Sequence, residues 1–208
     1  MIKLIIFDFD GTLVDSREVS IMIYNQVAQK YNLRKIENIE TLLNLSLLER
    51  FKTLKIPLLK VPLLVSEITK RYKDSLTKIT MFTGIRELLI ELKRRGYQLA
   101  IISSNSESNI REYFHQNQLD IFGTIMNSTN IMGKEKAIKK LLTSHKLNPH
   151  EVIYVGDEIR DIKACQKIGI KIICVDWGYD SIEMLKMNHP DYSVSSVNEI
   201  LSILPENI

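Results

Sequence analysis

Two aspartates spaced two residues apart, Asp8 and Asp10, stand at the end of the apolar run Ile2 to Phe7. Bare carboxylates this close repel each other and need a cation, a shared proton or solvent to relieve them. A hard divalent ion such as Mg²⁺ meets that need, because it prefers oxygen ligands and keeps several waters. Asp157 closes another apolar run and supplies a further oxygen, and Asp161 follows one helical turn later, placed to hold a metal-bound water. The four histidines, at 115, 145, 150 and 189, lie away from these segments, which argues against a zinc site of His and Cys ligands. Carboxylates around a metal, with the hydroxyls of Ser103 and Ser104 and the ammonium of Lys134 nearby, suit a phosphoryl group. Its charge is spread over several oxygens, and catalysis there is mainly positioning and electrostatic stabilisation. One aspartate can attack phosphorus and form an aspartyl-phosphate. The other can protonate the leaving alkoxide and later take a proton from the hydrolytic water. The residue types leave open which of Asp8 and Asp10 attacks.

These side chains must be delivered to one place. The run Ile2 to Phe7, the run 98–102, the run 152–155 and the run 171–175 are short, nearly unbroken apolar stretches, the pattern of strands buried on both faces. Helix-period segments lie between them: Ile85, Leu88, Leu89 and Leu92 before Gly96, then Ile138, Leu141 and Leu142, then Ile159, Ile162 and Ile168. The alternation predicts a doubly wound parallel α/β sheet. In such a sheet the ends of these strands open onto one edge, so Asp8, Asp10, Ser103, Ser104 and Asp157 converge there, with Lys134 opening a helix toward it.

From Ser16 to Ile79 the apolar residues keep helical spacing, which predicts a small all-helical cap inserted after the first strand. Asp15 with Glu18 reads as a capping box, ahead of a stripe of Val19, Met22, Ile23 and Val27. Ser46 with Glu49 reads as a second, ahead of Leu47, Leu48, Phe51 and Leu54. Pro62 is placed to start a helix through Val65, Ile68 and Tyr72. The expected division is residues 1–15 with 80–208 as the α/β core and 16–79 as the helical cap.

Of 208 residues, 45% are hydrophobic and 25% charged, a balance that fits a buried core with a polar surface. A net charge of +3 is too small to argue for nucleic acid or a membrane surface. Cys165 and Cys174 have no metal or redox spacing and read as reduced thiols. The apolar start is too short for a signal peptide core, and no stretch approaches a membrane span, so a cytoplasmic location is expected.

The nine residues Asp8-Phe9-Asp10-Gly11-Thr12-Leu13-Val14-Asp15-Ser16 match the DxDGTLxDS signature of the haloacid dehalogenase (HAD) superfamily. The apolar run into Ser103, then Lys134, then Gly156-Asp157 with Asp161, follow in that superfamily's order. The resemblance spans essentially the whole chain and is most similar to phosphoglycolate phosphatase-type enzymes with a small helical cap, especially from Phe82 to Gly178. It implies Asp8 as nucleophile and Mg²⁺ ligand, and Asp10 as general acid/base that binds the metal through its backbone carbonyl. It further implies Ser103 and Lys134 as phosphate ligands, Asp157 as the last Mg²⁺ ligand, and Asp161 behind these; Ser104 and Asn105 read either as phosphate contacts or as turn formers before the helix beginning near Glu107. The implied activity is Mg²⁺-dependent hydrolysis of a small phosphorylated metabolite. A phosphomutase shares the same machinery, and a catalytically silent module for phosphorylated ligands is a rival of another class. Two departures stand out: Thr83 replaces a usual proline before a helix, and Glu158, read as an exposed acid at a helix start, replaces a usual serine.

Overall fold

Isoleucine-rich runs become strands where both of their faces are covered, and this decides the core. The computed structural model describes residues 1–128 and 133–206. In chain order it contains β1 (Leu4–Phe7), β2 (Val14–Asp15), α1 (Arg17–Tyr31), α2 (Glu40–Leu43), α3 (Leu47–Thr53), α4 (Val61–Lys73) and β3 (Thr80–Met81). Strands and helices then alternate: α5 (Ile85–Arg94), β4 (Gln98–Ser103), α6 (Glu107–Gln116), β5 (Thr124–Asn127), α7 (Gly133–His145), β6 (Val152–Gly156), α8 (Ile159–Ile168), β7 (Lys171–Val175), α9 (Ile182–Met187), β8 (Tyr192–Val194) and α10 (Val197–Ile203). The chain divides into two compact units, Met1–Asp15 with Met81–Ile208, and Ser16–Thr80.

The first unit holds a six-stranded parallel sheet in the order β5-β4-β1-β6-β7-β8. After β1 the chain builds β4 and β5 on one side and then returns to lay β6 on the other. The carboxyl end of β1 is therefore the point where strand order reverses, the place where such sheets bind ligands. Leu4, Ile6, Ala100, Ile102, Val152, Tyr154, Ile172 and Cys174 share one face and pack with Ile138, Leu141 and Leu142 of α7 and with Ile162 and Cys165 of α8. The alternate residues Ile5, Phe7, Leu99, Ile101, Ile153, Val155 and Ile173 are buried too. Phe7 meets Phe122 edge-on on that side, with ring centroids 6.4 Å apart. The doubly wound parallel sheet expected from the sequence is the observed core. Sequence reading missed β5 and β8, the two edge strands, because Thr124–Asn127 and Tyr192–Val194 are short and half polar.

The second unit is built on α1 and α4, joined by the short α2 and α3. Tyr24, Ala28, Leu42 and Leu54 form its small core, with Leu33, Ile36, Ile39 and Ile68 against it. Asn25 closes the turn after α1 by pairing both of its amide atoms with the backbone of Ile36, at 2.9 and 2.7 Å. The capping box of Ser46 and Glu49 forms as expected. The box expected of Asp15 and Glu18 does not: Asp15 ends β2, and Ser16 takes the N-cap of α1. Leu48 and Val65 do not join their expected stripes, although Leu54 and Tyr72 of the same stripes are buried. Leu48 and Val65 are 58% and 42% exposed, and Leu64 rather than Val65 turns inward from α4.

Candidate active site

β1 runs straight into the site. Asp8 is 2% exposed, and its Oδ1 accepts from the backbone N–H of Phe9 at 2.7 Å, a tight local turn that sets the carboxylate's direction. Its other oxygen, Oδ2, accepts from Lys134 Nζ, which also donates to Asp161 Oδ1. Lys134 is the second residue of α7 and only 3% exposed, whereas Lys136, two residues further along the same helix, is exposed. Burial alone would lower the lysine's pKa. The carboxylates of Asp161 and Asp8 outweigh that and hold it above its ordinary value, so it stays a cation. Beneath it the Tyr154 ring lies 5.8 Å from Nζ, and the tyrosine hydroxyl donates to the backbone carbonyl of Ile102 at 3.1 Å.

Asp157 follows β6 and is fully buried. Thr12 Oγ1 donates to its Oδ1 at 2.6 Å, and the backbone N–H of Tyr179 donates to its Oδ2 at 2.7 Å. Two glycines make the room for it. A Cβ on Gly11, whose φ is +78°, would lie 2.3 Å from Asp157 Oδ2, and one on Gly178 would lie 2.1 Å from Asp157 Cβ. Trp177 Nε1 donates to the carbonyl of Thr12 at 3.2 Å, so Trp177 and Tyr179 both flank this pocket wall. Asp161 sits in the first turn of α8, where its Oδ2 accepts from the N–H of Glu158 at 3.2 Å, a capping position.

Asp8, Asp157 and Asp161 each offer an oxygen within 4.8 Å of the others. Burial pushes the Asp157 carboxyl well above its usual range, and the charges of Glu158, Asp8 and Asp161 push the same way. Burial likewise raises Asp161, with Lys134 opposing. Lys134 pairs with two of these three buried carboxylates, Asp8 and Asp161, so negative charge outweighs positive amid a set of oxygen donors. That donor set fits a hard divalent cation such as Mg²⁺. Asp10 stands outside this trio. Its Oδ2 accepts from Asn105 Nδ2 at 3.1 Å, so its carboxylate faces the β4 side of the site.

Ser103, the last residue of β4, is fully buried, and its Oγ accepts from the N–H of Asn105 at 3.2 Å. Ser104 Oγ accepts from Arg160 Nη2 at 3.4 Å. Arg160, Thr12 and Glu158 extend the set read from the sequence, and Asn105, open there between a phosphate contact and a turn former, donates to Asp10. Glu158 is not the exposed helix-start acid expected: its side chain is 14% exposed and pairs with Arg160. Its place after Asp157 at the N-cap of α8 put it beside a buried charge cluster, and the sequence carried only that positional hint. Thr12 was legible as part of the glycine-turn motif but not as the partner of Asp157.

A family model described as haloacid dehalogenase-like hydrolase matches residues 5–175. A phosphoglycolate phosphatase of Synechococcus elongatus is 29% identical, with 97% of each chain covered. The pyrophosphatase PpaX of Bacillus mycoides is 26% identical, over 98% of this chain and 97% of that one. Among solved structures, a predicted phosphatase from Clostridium acetobutylicum superposes with a TM-score of 0.84 at 23% identity, covering 96% of both chains.

Proposed function

The chain belongs to the haloacid dehalogenase-like hydrolases and is a phosphoric monoester hydrolase of that family; on that premise we propose that it hydrolyses a small phosphorylated metabolite with Mg²⁺, through an aspartyl-phosphate on Asp8. The observation that carries this reading is the Lys134 ammonium on Asp8 Oδ2, at the buried carboxyl end of β1. A carboxylate there is held in one direction and cannot drift toward solvent, as an in-line nucleophile requires.

Asp8 attacks phosphorus, the bond to the ester oxygen breaks, and Asp10 gives its proton to the leaving oxygen. Asp10 then takes a proton from water as that water attacks phosphorus and frees Asp8 with inorganic phosphate. Lys134 neutralises charge on the transferring group, and the Ser103 hydroxyl with the turn at Ser104 binds its oxygens. Asp8, Asp157 and the backbone carbonyl of Asp10 would hold Mg²⁺, with Asp161 orienting Lys134 behind them; bound there, the ion would offset negative charge on the phosphoryl oxygens. Residues 1–15 and 80–208 would form the α/β core domain and residues 16–79 the helical cap domain. The proposed setting is a dissolved metabolite in the cytoplasm; among the described residues no helix is long and apolar enough to cross a membrane.

The two activities named for the relatives set the first substrates to try. Phosphate release from phosphoglycolate, pyrophosphate and p-nitrophenyl phosphate should require Mg²⁺, stop with EDTA and vanish in Asp8→Asn. Release that persists in Asp8→Asn would remove Asp8 as nucleophile. Conversion of a sugar phosphate to its isomer without free phosphate would move the assignment to a mutase.

A further inference from the structure

We propose that Asn105 is the positioning residue for Asp10 and that it fixes which carboxylate oxygen carries the proton to the leaving group. The inference rests on the acid role of Asp10 proposed above. Asn105 is 6% exposed and sits in the turn between β4 and α6. Its Oδ1 accepts from the backbone N–H of Ser106 at 2.9 Å and from Asn109 Nδ2 at 3.0 Å. A backbone N–H can only donate, so the atom facing Ser106 must be the oxygen. The amide nitrogen therefore faces Asp10, and Nδ2 donates to Asp10 Oδ2 at 3.1 Å.

The turn itself is pinned from a third strand. Asn127, the last residue of β5, donates through Nδ2 to the carbonyls of Asn105 at 2.6 Å and Ser104 at 3.3 Å. Asn109, 3% exposed in α6, has its own N–H bonded to the Ser106 side chain at 3.2 Å. Three asparagines from three separate elements thus form a chain of amides that ends on one carboxylate oxygen. The hydrogen bonds of Asn105 and Asn127 run to Asp10 and to the turn at Ser103 and Ser104, and their effect is expected there.

The chemical consequence is directional. An amide N–H on Oδ2 cannot accept a proton from it, so the acid form of Asp10 carries its proton on Oδ1. Asn105 holds that oxygen at a fixed angle about the side chain. Protonation of the leaving oxygen matters when the leaving alcohol is a poor leaving group and matters little when it departs readily as its anion.

The test compares kcat/KM for an alkyl phosphate, glycerol 2-phosphate, with that for p-nitrophenyl phosphate. This parameter reports the steps through first cleavage of the ester, where Asp10 acts as acid. In Asn105→Leu, or in the less disruptive Asn105→Ser if the leucine variant does not fold, the alkyl-to-aryl ratio should fall by about tenfold or more, a fraction of a general acid's usual contribution. Asn109→Leu, which removes the amide that clamps Asn105 Oδ1, should shift the ratio the same way by less. Equal losses on both substrates, or no loss, would overturn the positioning role and leave Asn105 as a turn former. Asp10→Asn is the reference. If it too lowers both substrates equally, the acid role of Asp10 fails first, and that outcome is distinguishable because wild-type hydrolysis continues.

Discussion

The hydroxyl of Thr12 donates to Asp157 Oδ1 at 2.6 Å, although 145 residues separate them along the chain. One belongs to the turn after β1 and the other to the turn after β6, so neighbouring parallel strands bring them together. With the N–H of Tyr179 on the other oxygen, Asp157 is oriented before any cation arrives, while burial and the surrounding carboxylates still disfavour its charge. The site is geometrically prepared and electrostatically incomplete.

That combination predicts stabilisation by metal. Mg²⁺ at a hundred times its dissociation constant should stabilise the fold by about 2.7 kcal/mol, read as a rise in Tm over the EDTA-treated protein. In Asp157→Asn most of that rise should disappear. A melting temperature indifferent to Mg²⁺ in the wild type would remove the metal from this cluster.

Lys134 makes a separate prediction, because it is the cation bound to both Asp8 and Asp161. Lys134→Met leaves two buried carboxylates without their shared partner. Breaking such an arrangement costs about 3–5 kcal/mol, so the variant should melt well below wild type in EDTA and regain part of the loss with Mg²⁺. Phosphate release should fall by about a hundredfold or more, as for the loss of a preorganised electrostatic group. A variant as stable as wild type in EDTA would show the ion pairs to be energetically idle.

How much of this was legible follows from what each residue depends on. Asp8, Asp10, Ser103 and Asp157 could be placed from the sequence because each follows an apolar run, and strand ends in a parallel sheet share an edge. Lys134 could be singled out only by motif order, since its distinction from Lys136 is burial, a tertiary property. Asn105 was legible only as either a phosphate contact or a turn former, not as the partner of Asp10, and Arg160 was illegible as a site residue. Their partners lie on other strands and helices, and turn asparagines and helix arginines are common without such roles. In the helical unit Leu48 and Val65 misled, because short helices of a small unit bury few residues and apolar spacing does not fix which ones.

Gly178 should tolerate no side chain. A Cβ there would lie 2.1 Å from Asp157 Cβ and 2.3 Å from its Oδ2, both parts of a side chain that donors hold in place. Gly178→Ala is expected to lower stability by about 1–3 kcal/mol through overpacking and to weaken the Mg²⁺-dependent rise in Tm. Gly96→Ala is the control for backbone strain alone, since its φ is +86° and nothing lies within 4 Å of the added atom. It should cost stability and leave the Mg²⁺ response intact. An equal loss of the Mg²⁺ response in both variants would deny the cradle its role.

The two thiols carry the last prediction. Burial pushes both Cys165 and Cys174 upward from an ordinary value of 9.0, and the nearby Asp161 adds to the effect. Tyr113 and Tyr24 are pushed up to about 12 for the same reason. A group whose folded pKa is raised contributes stability that is fully present below its unfolded pKa and is lost as pH rises through the folded value. Stability should therefore hold up to about pH 9 and fall progressively above it, as the unfolded chain releases protons that the native core retains. In the native protein at pH 8 both thiols should react with an aromatic disulfide reagent only as fast as the chain opens, and at once in guanidinium. Rapid reaction of either thiol in the native state would place it at a surface, contrary to its position between the sheet and α8.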